Sequence, residues 1–256
     1  MRQTVRWPER NGELGDNRAE RADESAADPQ NLIWVMPAEE GVSEELLVVV
    51  SGGSPPNARA AQRVPRAAPV VAADRGLDYA LALGLDVCVA VGDFDSASAE
   101  AVAEAEATGV RIERHPADKD ATDLELALDA ALVMAPQRIL VLAGTGGRLD
   151  HELSSLLLLA SERYAATRID ALVGEARVHV IRGERKLEGS PGELCTLLAV
   201  NGPATGVTTE GLEYPLRGET LEPGSSRGVS NVFADRTAHV TVEDGVLLAV
   251  IPGEGS

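Results

Sequence analysis

Val87-Cys88-Val89-Ala90-Val91-Gly92-Asp93-Phe94-Asp95-Ser96 is the stretch from which the fold is read. A valine-rich apolar run stops abruptly at a glycine and two aspartates. A buried strand that ends in carboxylates is how a parallel α/β sheet presents acids along its C-terminal edge. Asp93 and Asp95 are two residues apart, so in extended backbone both side chains leave the same face. Two carboxylates held that close repel each other unless a cation neutralises them. An all-oxygen donor set suits Mg²⁺ better than a softer metal. Gly-Asp and Asp-Ser are equally ordinary turn chemistry, and the stretch alone leaves both readings open.

Similar grammar repeats on both sides. Leu46-Leu47-Val48-Val49-Val50 reads as a buried strand followed by Ser51-Gly52-Gly53-Ser54-Pro55-Pro56-Asn57. Gly52, Gly53 and Asn57 belong to a loop whose backbone N–H groups suit a phosphate, although a plain connection satisfies these residues as well. Residues 68–73 form the next strand, ending at Asp74-Arg75-Gly76, with a short helix from Leu77 that Gly84 stops. After Val91 come a helix over 98–107 and a period-two strand over 110–114. Thr122 and Glu125 have capping-box spacing, which predicts a helix with Leu124, Leu128, Ala131, Leu132 and Ala135 inward. Asp120 and Asp123 then sit at a helix start, where negative charge is favourable. A fifth strand, 138–142, leads through Gly144-Thr145-Gly146-Gly147-Arg148-Leu149-Asp150-His151 into a helix. Leu149, Leu153, Leu156, Ala160 and Tyr164 are expected on that helix's buried face. His151 reads as a base or as a helix-start residue with a structural hydrogen bond, the second being the simpler.

After about Thr167 the pattern changes to short alternating runs at 176–181, 194–200, 207–209, 229–233, 238–242 and 246–251, separated by Gly, Pro and Asn. The expected architecture is an N-terminal, doubly wound, mostly parallel α/β domain over 46–166, then a smaller all-β sandwich over 167–256. Residues 1–45 are rich in Arg, Glu, Asp and Ala. They read as a flexible extension with one apolar patch, Leu32-Ile33-Trp34-Val35-Met36.

Composition bounds the partners. The 256-residue chain is 44% hydrophobic, 25% charged and only 3% aromatic, so its core is built from aliphatic side chains. A net charge of −18 opposes binding to nucleic-acid phosphates. Cys88 and Cys195, the two cysteines, lie in apolar strand patterns and read as reduced core residues, which makes the cytoplasm the expected compartment. No apolar run reaches the length of a membrane span.

Together, Gly92-Asp93-Phe94-Asp95-Ser96, Lys119-Asp120-Ala121-Thr122-Asp123 and Gly146-Gly147-Arg148-Leu149-Asp150-His151 resemble the thiamine pyrophosphokinase family. The likeness extends to Ala73-Asp74-Arg75-Gly76, to Gly211-Leu212-Glu213-Tyr214-Pro215-Leu216 and to Ser226-Arg227-Gly228-Val229-Ser230-Asn231. It covers about residues 46 to 252. The resemblance implies transfer of a pyrophosphoryl group from ATP to the hydroxyl of thiamine, with Mg²⁺. It also implies a homodimer with thiamine bound between the β domain of one subunit and the α/β domain of the other. By the same resemblance Asp93, Asp95 and Asp120 hold the metal, and Asp74 and Asp150 are further acids of the site. Thr122 and Asp123 lie at the nucleotide-binding helix start, Arg148 is near the phosphates, and Ser230 and Asn231 are on the thiamine side. Asp74 is the expected acceptor of the hydroxyl proton, and Tyr214 reads as a stacking surface or a core tyrosine. The chain departs from the family pattern at Arg75, usually glycine, and at Ser155, where asparagine is common. A hydroxymethyl pterin as acceptor, or a sensing module that binds without turnover, are the alternative expectations.

Overall fold

The computed structural model describes residues 46–253; the extension expected over 1–45, with its apolar patch, lies outside the described residues. Along the first half, strands alternate with helices: β1 (Leu46–Val50), α1 (Ala58–Ala61), β2 (Val70–Ala73), α2 (Gly76–Ala82), β3 (Val87–Gly92), α3 (Ala99–Thr108), β4 (Arg111–Arg114), α4 (Asp123–Val133), β5 (Arg138–Ala143), α5 (Leu149–Leu159) and β6 (Arg168–Val173). The second half is strands alone: β7 (Ala176–Ile181), β8 (Glu184–Glu188), β9 (Leu194–Ala199), β10 (Ala204–Glu210), β11 (Arg217–Leu221), β12 (Asn231–Val232), β13 (Thr237–Thr241) and β14 (Leu247–Ile251).

Ten strands form one sheet in the order β12-β9-β14-β7-β6-β5-β1-β2-β3-β4. From β6 to β4 all neighbours are parallel, whereas β7, β14, β9 and β12 are antiparallel. Strands flanked by crossover helices must bury both faces, which is why they read as continuous valine and leucine runs. Leu124, Ala127, Leu128 and Ala131 of α4 pack on one face with Val49, Val71, Val89 and Val91. By strand alternation the opposite face carries Val48, Val50, Val70 and Ala72, and the buried Leu77 and Ala80 of α2 cover it. The expected doubly wound sheet is therefore present. Thr122 caps α4 as anticipated, its Oγ1 accepting from the Glu125 amide at 3.2 Å.

The second sheet is four-stranded and antiparallel, β11-β10-β13-β8. Its apolar face packs on the antiparallel end of the large sheet: Leu187, Val207, Leu221 and Val240 meet Ile181, Leu197, Leu247 and Ile251. This is the expected sandwich, but one of its layers is continuous with the parallel sheet. The boundary at 166/167 consequently falls before a sixth parallel strand, β6, rather than between two sheets. β6 is hard to read because Asp170 interrupts the apolar run Arg168-Ile169-Asp170-Ala171-Leu172-Val173. β8 and β11 are concealed for the same reason, since their charged residues obscure the alternation.

Asp170 is also the centre of the joint between the layers. It is 1% exposed, and its carboxylate accepts from Arg138 of β5, from Arg185 of β8 and from the ring nitrogen Nδ1 of His179 of β7. Burial alone pushes that carboxyl up, but His179, Arg185 and Arg138 more than offset it and hold it well below the usual carboxylate range.

One expectation fails. Leu149, Leu153 and Leu157 are 68%, 53% and 47% exposed, whereas Leu159, Ala160 and Tyr164 are buried, with Leu156 partly so. Helix α5 ends at Leu159, and Tyr164 follows in a separate 3₁₀ turn, Glu162–Tyr164. Four consecutive leucines, 156–159, fit more than one helical register, so the inward face is chosen by packing rather than by spacing.

Candidate active site

The C-terminal ends of β2 and β3 bring three carboxylates together. Asp74, Asp93 and Asp95 each offer an oxygen within 4.8 Å of the other two. The means differs from strand alternation. β3 stops at Gly92, Phe94 takes a left-handed φ of 59°, and Asp93 Oδ1 accepts from the Asp95 amide at 3.2 Å. A tight turn therefore aims the two acids, so the turn chemistry of this stretch and the pairing of its carboxylates are compatible. Arg114 stacks over the Phe94 ring at 5.2 Å and supports that turn. Asp74 also has a left-handed φ, 47°, and its amide donates to Val91 O at 2.8 Å. Backbone strain of this kind persists where surrounding contacts over-determine it.

Gly92 is where these parts meet. A Cβ there would lie 3.1 Å from Asp74 Cβ and 3.3 Å from Asp123 Oδ1. Only a residue without a side chain lets β2, β3 and the start of α4 approach so closely. Ser96 Oγ donates to Asp74 Oδ2, while Asp74 Oδ1 is buried with no hydrogen-bond donor among the described residues. The negative charge of Asp93 raises the Asp95 carboxyl pKa above its ordinary value, with Asp74 and Asp123 adding to the effect.

Lys119 is the residue that the sequence reading left out of the site. Its Nζ lies 2.7 Å from Asp123 Oδ1 and 4.0 Å from Asp93 Oδ2, joining α4 to the acid turn. The signal was its place beside Asp120 in an otherwise acidic stretch. Asp120, expected as a third metal ligand, is exposed just ahead of α4, and the three carboxylates that lie within reach of one another are Asp74, Asp93 and Asp95.

The two glycine-rich loops lie side by side. A Cβ on Gly52 would stand 3.2 Å from Ala73 O, and one on Gly147 would stand 3.3 Å from Ser54 Oγ. Tyr79 Oη donates to Gly53 O at 2.6 Å. Asn57 accepts from the Arg59 amide and donates to Glu175 Oε1 at 3.2 Å, so its side chain secures the loop. Arg148 donates twice to Asp150, at 2.6 and 3.2 Å, and this bonding lowers the Asp150 pKa to about 2. Both are exposed at the start of α5, as is His151.

In the second half, a cavity of about 360 Å³ is lined by Tyr214, Leu216, Ser226, Arg227, Val229 and Asn231, among others. Asn231 is buried, and its side chain is consumed in holding the Tyr214 backbone. Oδ1 accepts from the Tyr214 amide at 3.0 Å and Nδ2 donates to Tyr214 O at 2.8 Å. Tyr214 is thereby presented with its ring exposed, rather than packed as a core tyrosine. Ser230 has a left-handed φ of 56° and its amide donates to Thr196 Oγ1 at 3.0 Å.

The acid cluster fits Mg²⁺. Its donors are all carboxylate oxygens, and the buried Asp74 Oδ1 has no partner among the described residues, an arrangement that is costly unless a cation completes it.

Two family models match in sequence. Residues 60–171 match "Thiamin pyrophosphokinase, catalytic domain", and residues 178–247 match "Thiamin pyrophosphokinase, vitamin B1 binding domain". The chain is 27% identical over 156 residues to Thiamine pyrophosphokinase 1 of Oryza sativa subsp. japonica, covering 56% of this chain and 57% of that one. It is 28% identical over 138 residues to Thiamine pyrophosphokinase of Bacillus subtilis (strain 168), covering 53% and 64%. It thus spans less than two thirds of the length of these curated relatives. Among solved structures, a thiamin pyrophosphokinase from Geobacillus thermodenitrificans superposes with a TM-score of 0.68 at 27% identity, covering 82% of this chain and 99% of that one. The thiamine pyrophosphokinase structure from Bacillus subtilis gives 0.72 at 23% identity, with the same coverage, and shares the fold. With both family models matched in order over more than two thirds of its length, this chain belongs to the thiamin pyrophosphokinase family.

Proposed function

We propose that this chain transfers the pyrophosphoryl group of ATP to the hydroxyl of thiamine, giving thiamine diphosphate and AMP. The observation that carries the reading is the Asp74, Asp93 and Asp95 cluster with its uncommitted buried oxygen, inside the match to the catalytic domain. In this reaction the thiamine oxygen forms a bond to the β-phosphorus of ATP. The bond from that phosphorus to the bridging oxygen of AMP breaks, and the hydroxyl proton passes to a base.

Asp74, Asp93 and Asp95 are the residues we assign to Mg²⁺. When bound there, the ion would offset polyphosphate charge that otherwise repels the incoming oxygen. Lys119 stabilises the crowded carboxylates from the α4 side. Gly52, Gly53, Thr122, Asp123 and Arg148 border the same edge and are assigned to the nucleotide; Asp120 and Asp150 are outer acids of the cleft. The hydroxyl proton is assigned to a carboxylate of the same cleft. Tyr214 and the cavity beneath it are assigned to thiamine, whose cationic ring suits an aromatic face. Ser230 and Asn231 shape that cavity. The catalytic half therefore runs from 46 through β6, and the thiamine-binding half from β7 onward.

The topology supports a homodimer. β12, beside the cavity, and β2 are seven strand spacings apart in the sheet, on the order of 30 Å at about 4.8 Å per strand. One chain's cavity is too far from its own acid cluster for direct transfer, so the cavity of one subunit serves the acids of another. The exposed leucines 149, 153 and 157, spaced along one face of α5, are an apolar surface suited to that partner. Among the described residues no helix is long and apolar enough to cross a membrane. Both cysteines are free, which agrees with the reducing cytoplasm as its compartment.

The test is AMP release from ATP and Mg²⁺ with thiamine as acceptor. Absence of AMP overturns the proposal. AMP release with a hydroxymethyl pterin alone reassigns the acceptor, and binding of both ligands without AMP makes the chain a sensor.

A further inference from the structure

Arg75 follows Asp74 directly and is exposed at the rim of the acid cluster. Its Nε donates to the Ser96 carbonyl at 2.9 Å. Ser96 is the residue whose hydroxyl holds Asp74, so the Arg75 guanidinium is pinned to the turn that carries Asp93 and Asp95. Among the described residues Arg75 enters no ion pair, although three carboxylates cluster beside it.

The other cations here are committed. Lys119 is paired with Asp123 and reaches Asp93, and Arg148 is bound twice by Asp150. Arg75 alone of these three keeps its terminal nitrogens for another partner. A guanidinium anchored through Nε retains a planar fork of N–H donors that matches two oxygens of one phosphate. Pinning the side chain beforehand also reduces the rotamer entropy lost when an anion arrives.

We infer that Arg75 is a phosphate-binding residue that clamps the phosphate chain of the nucleotide against the acid turn. The inference rests on the assignment of the acid cluster to the metal-bound nucleotide. It identifies where this chain, with a net charge of −18, supplies an uncommitted positive charge to an anionic substrate.

The experiment uses the full chain with Arg75→Ala, Arg75→Gly and Arg75→Lys. Inorganic tripolyphosphate with Mg²⁺ and AMP serve as calorimetric probes, beside steady-state kinetics with ATP and thiamine. Loss of one charged fork predicts that Arg75→Ala weakens tripolyphosphate binding and raises KM for ATP by about 10-fold or more. KM for thiamine, AMP affinity and Tm stay unchanged, and Arg75→Lys restores part of the loss. Equal tripolyphosphate affinity in wild type and Arg75→Ala overturns the inference while leaving the site assignment standing. A parallel fall in Tm and in affinity for all ligands also overturns it, because Arg75 is then a structural clip. If the wild-type chain binds no tripolyphosphate, the assignment of the site fails, and the inference with it.

Discussion

The hydroxyl of Ser96 donates to Asp74 Oδ2, and through that bond the turn after β3 is closed onto the end of β2. The bond occupies one oxygen of a buried carboxylate and leaves the other without a donor among the described residues, so Asp74 is held in place and still has an acceptor to offer. The acid cluster is therefore a product of two strand ends, neither sufficient alone.

Removing one carboxylate tests that cluster. Asp95→Asn is expected to lower kcat by about 10²–10³-fold, as losing one preorganised electrostatic group does. Asp95 is exposed, so circular dichroism and Tm should match wild type. Retained turnover would mean that the metal assignment is wrong.

The backbone contact at Gly92 is tested by Gly92→Ala. The added carbon meets Asp74 Cβ at 3.1 Å in a residue with φ of 152°. The expected destabilisation is about 1–3 kcal/mol in urea unfolding, from backbone strain. Calorimetry should show weakened Mg²⁺ binding as well, since Asp74 is pushed from its place.

Asp170 ties three strands of the large sheet to β8, and Asp170→Asn should cost about 3–5 kcal/mol by leaving buried cations underpaired. Its pKa is depressed in the folded protein, below the unfolded value of about 3.9. The stabilisation is thus complete above about pH 4 and is lost as pH falls from there towards the folded pKa. The difference in Tm between wild type and variant should narrow in that acid window and stay constant from pH 5 to 8.

Asn231→Ala removes the bonds that hold the Tyr214 backbone. KM for thiamine should rise by about 10-fold, the equivalent of one to two lost hydrogen bonds, with KM for ATP unchanged. A rise in both constants would show that the two halves of the chain do not divide the substrates.

Leu153→Glu places a charge in the exposed leucine row of α5. Sedimentation should show monomer in place of dimer, with thiamine turnover lost and far-UV circular dichroism unchanged. A dimer that survives the change would assign the interface elsewhere.

Much of this molecule is legible in one dimension. The valine and leucine runs, the Thr122 cap, the glycine loops and the change of pattern near 167 follow from local sterics, periodicity and burial on two faces. They suffice for most of the elements before residue 167, the fold class and the aspartates at strand ends. Where a residue's environment comes from distant chain, the reading stops short. Asp170 and Arg185 interrupt the patterns of β6 and β8 because their partners arrive from other strands. Asn231 carries a side chain that serves the Tyr214 backbone, 17 residues away. Asp74 meets Asp93 and Asp95 because β2 and β3 are neighbours and Gly92 lets them close, a matter of strand order and backbone angle. The sequence by itself determined which acids and cations this protein possesses and which elements carry them. Tertiary structure decided which of them meet, which pair with one another, and that Arg75 enters no ion pair among the described residues. Contacts within a few ångströms depend on strand adjacency, and no local pattern encodes it.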